Sequence, residues 1–292
     1  MTAFRFVDRE KASHAVTTLC RMLGVSPSGY WAWRGRVGGR RAAADEALLE
    51  AIRAIHAASR ATYGAPRVHA ALLAAGWHVG RKRVARLMRA ARLIGVHRRQ
   101  RNSRPAGAGR GLVAPDLVRR RFHSDAPDRL WVADITELPT GQGPFYLAAL
   151  LDAFSRRVVG WALADHLRTS LVLAALDIAL VAREPAAGLI HHSDRGTQYT
   201  SVALGERLAR AGIAASMGAP GTAYDNALAE SFFASLETEL IDRSAWPTHD
   251  AARLAVFDWI ERFYNPRRLH SALGNVAPDE FERRYRSTTA AA

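Results

Sequence analysis

Asp134, Asp194 and Glu230 have the strongest claim in this chain to do chemistry. Asp134 stands inside Trp131-Val132-Ala133-Asp134-Ile135-Thr136, an apolar run with β-branched residues that reads as a buried strand. A carboxylate there is costly unless it is paired or binds a cation. Asp194 follows a second strand-like run, Gly188–Ser193, and precedes Arg195-Gly196, so it stands where strand gives way to loop. Glu230 lies in Asn226-Ala227-Leu228-Ala229-Glu230-Ser231-Phe232-Phe233, the early turn of a helix, with 35 residues between it and Asp194. Three carboxylates on two strands and a helix make sense around hard divalent cations. Mg²⁺ or Mn²⁺ prefers oxygen ligands and relieves the mutual repulsion of the acids. Two such ions activate a nucleophile and stabilise the leaving oxygen of a phosphodiester.

Nearby polar residues compete for these roles. Asp152 also falls in a strand run and reads as structural. Asp225, ahead of the Glu230 helix, reads as its N-cap. Glu237 lies seven residues beyond Glu230 on the same helix face and is a rival third ligand. His191, His192 and His270 read as polar filling sooner than as ligands or proton shuttles. Arg195 beside Asp194 is a candidate to hold phosphate, and Arg267 and Arg268 are candidates for the DNA backbone.

The elements that would position the acids follow from pattern. Strand-like runs at 130–138, 145–154 and 157–163 predict an antiparallel meander. A helix over 170–182, a strand over 189–192, a helix over 201–211, a short strand over 213–217 and the Glu230 helix over 226–241 follow. This order, βββαβαβα, predicts a mixed sheet with Asp134, Asp194 and Glu230 at one edge. A further amphipathic helix is expected over 249–264, and the small polar tail 286–292 is expected to be disordered.

Ahead of this core, residues 1–42 predict a short helix-turn-helix-like arm. It has a helix over 13–24, a Ser26-Pro27 start for the next one, and Trp31 and Trp33 closing a small core. Residues 43–96 predict three helices. The third carries Val84, Leu87, Met88 and Ala91 inward and Arg81, Lys82, Arg83, Arg86 and Arg89 outward, as a helix entering a DNA groove would. Residues 97–124 read as a basic Gly/Arg-rich linker, and 125–285 as the core with its C-terminal helices.

Charge follows the same division. Residues 1–121 hold 25 Lys+Arg against 6 Asp+Glu, and residues 122–292 hold 16 against 21, so a strongly basic front half precedes a mildly acidic core. That asymmetry points to nucleic acid. The single cysteine, Cys20, excludes a disulfide framework or a Cys-based zinc site within one chain and fits a reducing cytoplasm. The charged N-terminus predicts no signal peptide. The longest apolar stretches, 145–164 and 167–182, are interrupted by charges and predict no membrane span.

The segments WVADITEL, HHSDRGTQYTS, GTAYDNALAESFFASLETEL and YNPRRLHSALGNVAPDEFE resemble the catalytic frame, OrfB, of bacterial insertion-sequence transposases of the IS-three family. These have a DDE core like that of retroviral integrases, and the likeness covers about residues 45–285. It implies an α/β, RNase H-like mixed-sheet core preceded by an all-α helix-turn-helix region. Asp134, Asp194 and Glu230 would be its catalytic metal ligands, with Mg²⁺ or Mn²⁺, a pair of ions, as cofactor. The implied activity is cleavage at the element's ends and strand transfer into target DNA by 3′-hydroxyl attack. The implied partners are DNA, an upstream OrfA-type frame usually joined by frameshift, and further copies of the chain on DNA, in the cytoplasm at the nucleoid. Where the family commonly has Lys, this chain has Glu237, which puts one DNA contact in doubt. A DNA-binding regulator with an inert core and a stand-alone RNase H-type nuclease are the alternatives. The intact carboxylates argue against the first, and the basic helical modules against the second.

Overall fold

The computed structural model describes residues 3–36, 40–97, 113–218 and 227–290. The chain divides into a helical unit, Met1–Ile94, and an α/β unit, Gly95–Ala292.

In the helical unit, α1 (Ala3–Glu10), α2 (Val16–Met22) and α3 (Pro27–Arg36) close over Val7, Leu19, Cys20 and Tyr30. Ser26 caps α3, its Oγ accepting from the Gly29 N–H at 3.0 Å. The sequence pattern did not predict α1. Trp33 packs against this small core as expected, but Trp31 is 51 % exposed, with the Arg34 guanidinium 5.3 Å from its ring. The helices α4 (Arg40–Ala58), α5 (Ala65–Ala74) and α6 (Arg81–Ala90) bury Leu48, Ile52, Val68, Leu72, Val84, Leu87 and Met88. These are the positions that helical spacing selects. Gly76, at φ +83°, supplies the left-handed residue after α5.

The α/β unit is built on β1 (Leu130–Thr140), β2 (Gly143–Asp152), β3 (Val158–Ala164), β4 (Ile190–Ser193) and β5 (Ala214–Met217), in the order β3-β2-β1-β4-β5. The first three form the expected antiparallel meander, and β4 runs parallel to both β1 and β5. One face of the sheet, with Trp131, Ala133, Ala148 and Leu150, packs on α7 (Thr169–Arg183) and α8 (Val202–Arg210). Helix α7 comes so close to β3 that a Cβ at Gly160 would run into the Ala175 carbonyl. On β1, Trp131, Ala133 and Ile135 face this core, so alternation turns Val132 and Asp134 to the other face. Helix α9 (Ala227–Glu239) packs on β1, and α10 (His249–Trp259) joins it.

Three expectations change. The helix expected over 249–264 widens into a π turn at Ile260–Tyr264, just before Pro266, which has no N–H to give the ladder. A short α11 (Asn265–Arg267) follows, where the Asn265 side chain donates to the Val158 carbonyl (3.0 Å) and accepts from its N–H (2.9 Å). The tail expected to be disordered is, up to Ala290, the end of α12 (Pro278–Ala290). The hydroxyls of Ser287, Thr288 and Thr289 bond back to carbonyls four residues earlier. Of the expected linker, residues 98–112 lie outside the described residues, but its later part lies on β5. There the Met217 N–H meets the Pro115 carbonyl (3.4 Å), the Leu117 N–H meets Ser216 Oγ (3.0 Å), and Val118 is buried.

Candidate active site

Strand register brings the first two acids together. In the parallel pair β1–β4, Val132 is opposite His192, so two residues further on Asp134 and Asp194 leave the same end of the pair side by side. Asp134 is half-buried and its Oδ1 accepts the N–H of Ile135 at 2.8 Å. Asp194 Oδ1 accepts the Gly196 N–H at 2.9 Å, which curls the loop after β4 back on itself. Glu230 sits in the first turn of α9, the helix laid on β1. Burial pushes the Asp134 carboxyl up to about 7, and the charges of Asp194 and then Glu230 push it the same way. The three acids of the sequence reading therefore share one electrostatic neighbourhood. Glu237 is also partly buried, two turns further along α9.

Among the described residues no three His, Cys, Asp or Glu side chains already form a metal cage. The donor set nevertheless fits a hard divalent cation. Asp134 has no ion pair among the described residues, and its charged neighbours are two more carboxylates. A Mg²⁺ or Mn²⁺ ion would offset the mutual repulsion of these carboxylates through all-oxygen ligands.

Tyr199 was missed by sequence reasoning. It is 4 % exposed and lies in the core beneath the sheet, and its hydroxyl has no hydrogen-bond partner among the described residues. Burial, then the charges of Asp134 and Asp194, raises this phenol well above its ordinary range, so it remains a neutral donor.

Several of the remaining candidates have partners within the fold. Asp152 is fully buried and accepts from the Asp128 N–H (2.7 Å), the Ser155 N–H (2.8 Å) and Ser155 Oγ (2.9 Å). Burial pushes its carboxyl up to about 6. His191 is buried and pushed down to about 4 by burial, then by His192, which keeps it neutral at pH 7. His192 Nδ1 meets Ser216 Oγ at 2.9 Å. Asp225 lies outside the described residues. Arg195 Nε donates to the Gly218 carbonyl (2.7 Å), tying the loop after β4 to the end of β5. Arg267 is exposed.

Arg268 corrects the expectation of a DNA-backbone contact. It is 4 % exposed, and Nη2 and Nε grip Glu239 at 2.7 and 2.9 Å. Its partner lies 29 residues back on α9, so the local run Arg267-Arg268 looks like surface when it is half core. His270 is buried beside it, 3.5 Å from Arg268 Nη1, with its ring against Tyr264.

In the helical unit, α6 exposes Arg81, Lys82, Arg86 and Arg89, with Arg83 partly buried. Asp45 on α4 holds Arg83 Nε and Arg86 Nη2, each at 2.7 Å. Those bonds, from Arg86 and then Arg83, keep the Asp45 carboxyl below its usual range. Sequence reading turned both arginines outward and did not see this acid between them.

Both parts of the chain are similar to known proteins. Residues 124–223 and 211–278 match two models described as integrase core domain, and residues 43–101 match one described as HTH-like domain. The chain is 37 % identical over 284 residues to the transposase for insertion sequence element IS629 of Shigella sonnei, covering 96 % of this chain and 95 % of that one. It is 40 % identical over 269 residues to a putative transposase for IS986/IS6110 of Mycobacterium tuberculosis, covering 90 % and 96 %. It is also 35 % identical over 284 residues to the transposase InsF for insertion sequence IS3A of Escherichia coli, covering 95 % and 97 %. Among solved structures, the HTLV-2 integrase catalytic core domain in complex with magnesium aligns with a TM-score of 0.41 at 17 % identity, over 54 % of this chain and 98 % of that one.

Proposed function

The chain belongs to the insertion-sequence transposases, enzymes built on an integrase core, and from that premise we propose that Asp134, Asp194 and Glu230 hold a pair of Mg²⁺ or Mn²⁺ ions and cut and rejoin DNA. The observation that carries this reading is the β1–β4 register, which sets Asp134 beside Asp194 on the face where α9 brings Glu230. When bound, the ions would activate the attacking oxygen and stabilise the departing one. The chain's own part is to fix two carboxylates on rigid strands and the third on a packed helix, so that the reacting phosphodiester meets preplaced ligands. In the first step water attacks the phosphorus at the element's end, the bond to the 3′ oxygen breaks, and that oxygen leaves as a hydroxyl. In the second, the freed 3′-hydroxyl attacks a target phosphodiester in line, and the displaced target oxygen leaves. No protein nucleophile takes part.

The exposed cations of α6 fit the DNA backbone and groove, and Arg195 and Arg267 are further candidates for phosphate. No described helix is long and apolar enough to cross a membrane, and the site of action would be the cytoplasmic nucleoid. End recognition would need an upstream OrfA-type frame and assembly of several copies on DNA. Equal end binding with and without that frame would argue against this part of the reading.

The test is Mn²⁺-dependent nicking and strand joining on duplexes from the DNA flanking the gene. Asp194→Asn and Glu230→Gln are each expected to lose about 10³-fold or more in rate while still binding DNA, whereas Glu237→Gln retains activity. Products abolished by Glu237→Gln and spared by Glu230→Gln would overturn the ligand assignment. Retained activity in Asp194→Asn would overturn the enzyme mechanism itself.

A further inference from the structure

Asp45 joins two cations that lie on another helix. The stretch from 43 to 96 holds three acids, Asp45, Glu46 and Glu50, all on α4. Glu50 pairs with Arg53 on its own helix. Among the described residues, Asp45 is the acid of the three that bonds α6. Its Oδ1 accepts from Arg83 Nε at 2.7 Å, with Arg83 Nη2 2.6 Å away, and its Oδ2 accepts from Arg86 Nη2 at 2.7 Å. The side chains of Arg83 and Arg86 are 37 % and 58 % exposed, against 23 % for Asp45. The acid is thus the more buried member, and both guanidiniums are more open to solvent. A guanidinium carries donors on all three nitrogens. After these bonds Arg83 keeps Nη1, and Arg86 keeps Nε and Nη1, for a further acceptor.

The fold does not call for this arrangement. The helices α4–α6 close through Leu48, Ile52, Val84, Leu87 and Met88, and ion pairs this exposed add little to folding. An acid amid basic helices also weakens their attraction to phosphate. Its place is accounted for if it sets the arginines. A free arginine on a helix surface samples many rotamers, and fixing it on a phosphate costs that freedom. A carboxylate that grips both side chains removes the freedom in advance. We infer that Asp45 is a positioning residue that holds the Arg83 and Arg86 guanidiniums ready for the phosphates of duplex DNA. The inference rests on the reading of α6 as a DNA contact.

The two effects of this acid on DNA have opposite signs. Asp45→Asn removes a negative charge, which by itself tightens binding. Loss of positioning weakens it. The test is binding of the full chain to a labelled duplex from the DNA flanking the gene and to a scrambled duplex of equal length, at one moderate salt concentration, beside thermal unfolding. Wild type would be compared with Asp45→Asn, with Arg83→Ala/Arg86→Ala, and with all three substitutions together. Asp45→Asn is expected to unfold near the wild-type temperature and to bind both duplexes about tenfold more weakly. In the chain that lacks both arginines, the same substitution should no longer weaken binding, a coupling that a merely structural acid would not show. Tighter or unchanged binding by Asp45→Asn, where the double arginine variant binds weakly, overturns the inference and leaves the α6 reading standing. Equal losses from Asp45→Asn with and without the arginines overturn it too, because the acid would then act through the fold, and so does an unfolded Asp45→Asn. If the double arginine variant binds like wild type, α6 is not the contact, and the inference fails with that reading.

Discussion

The α/β unit holds buried acids in two places and treats them in opposite ways. Glu282 receives Arg183 Nη1 at 2.7 Å, Asp128 receives Arg183 Nη2 at 2.8 Å, and Glu239 at the end of α9 receives Arg268. Burial alone would raise Glu282, but the bonds and charge of Arg183 outweigh it and hold the carboxyl below its usual range. At the end of β1 and β4 the acids have one another instead, and Asp134 is driven up to about 7. The chain does not lack arginines for its buried acids. Among the described residues, Asp134 is not given one.

This contrast can be broken from either side. The largest expected effect is at the paired acids. Arg268→Ala strands Glu239 inside the protein and should cost about 3–5 kcal/mol in urea unfolding. A loss of DNA affinity with unchanged stability would return Arg268 to the surface role that its sequence context suggests. At the unpaired acids the sign should reverse. In chelator at pH 8, Asp134→Asn removes a carboxylate that folding holds in a repulsive place. It should stabilise the protein by about 2 kcal/mol, after discounting for the solvent that reaches this half-buried group, and should abolish the rise in melting temperature on adding Mn²⁺. A destabilised Asp134→Asn would mean that this acid has a favourable partner without metal.

A further effect tests Asp152, a buried acid that is hydrogen-bonded but not ion-paired. Its folded value, raised to about 6, lies above the unfolded one, so the folded state holds the proton more tightly. That contribution to stability is complete at low pH and is lost as the pH rises through about 6, and amounts to about 3 kcal/mol. Melting curves from pH 4 to 7 should show it in wild type, with a flatter slope in Asp152→Asn. Equal slopes would place the titration elsewhere.

Much of this was legible in the chain. The β-branched runs announced the strands, and helical spacing picked out Val84, Leu87 and Met88 as the buried residues of α6. The strand and helix contexts of Asp134, Asp194 and Glu230 marked the acids before their neighbourhood was known. What escaped depends on distance along the chain or on an unremarkable composition. Arg268 needed Glu239, and Arg83 with Arg86 needed Asp45 on another helix. The end of α12, a run of Ser and Thr, reads as disordered until their hydroxyls are seen bonding the preceding turn. Tyr199 drew no notice in the sequence, because nothing in a sequence tells whether a hydroxyl finds an acceptor.

The side chain of Asn265, which answers both the N–H and the carbonyl of Val158, bears on how copies of this protein avoid one another. Strand β3 is one margin of the sheet and β5 the other, and bare margins invite strands from neighbouring chains. Asn265 interrupts the first and the Pro115–Leu117 segment lies along the second. A strand from a neighbouring chain would therefore meet β3 with Val158 already bonded and β5 with a segment of its own chain along it.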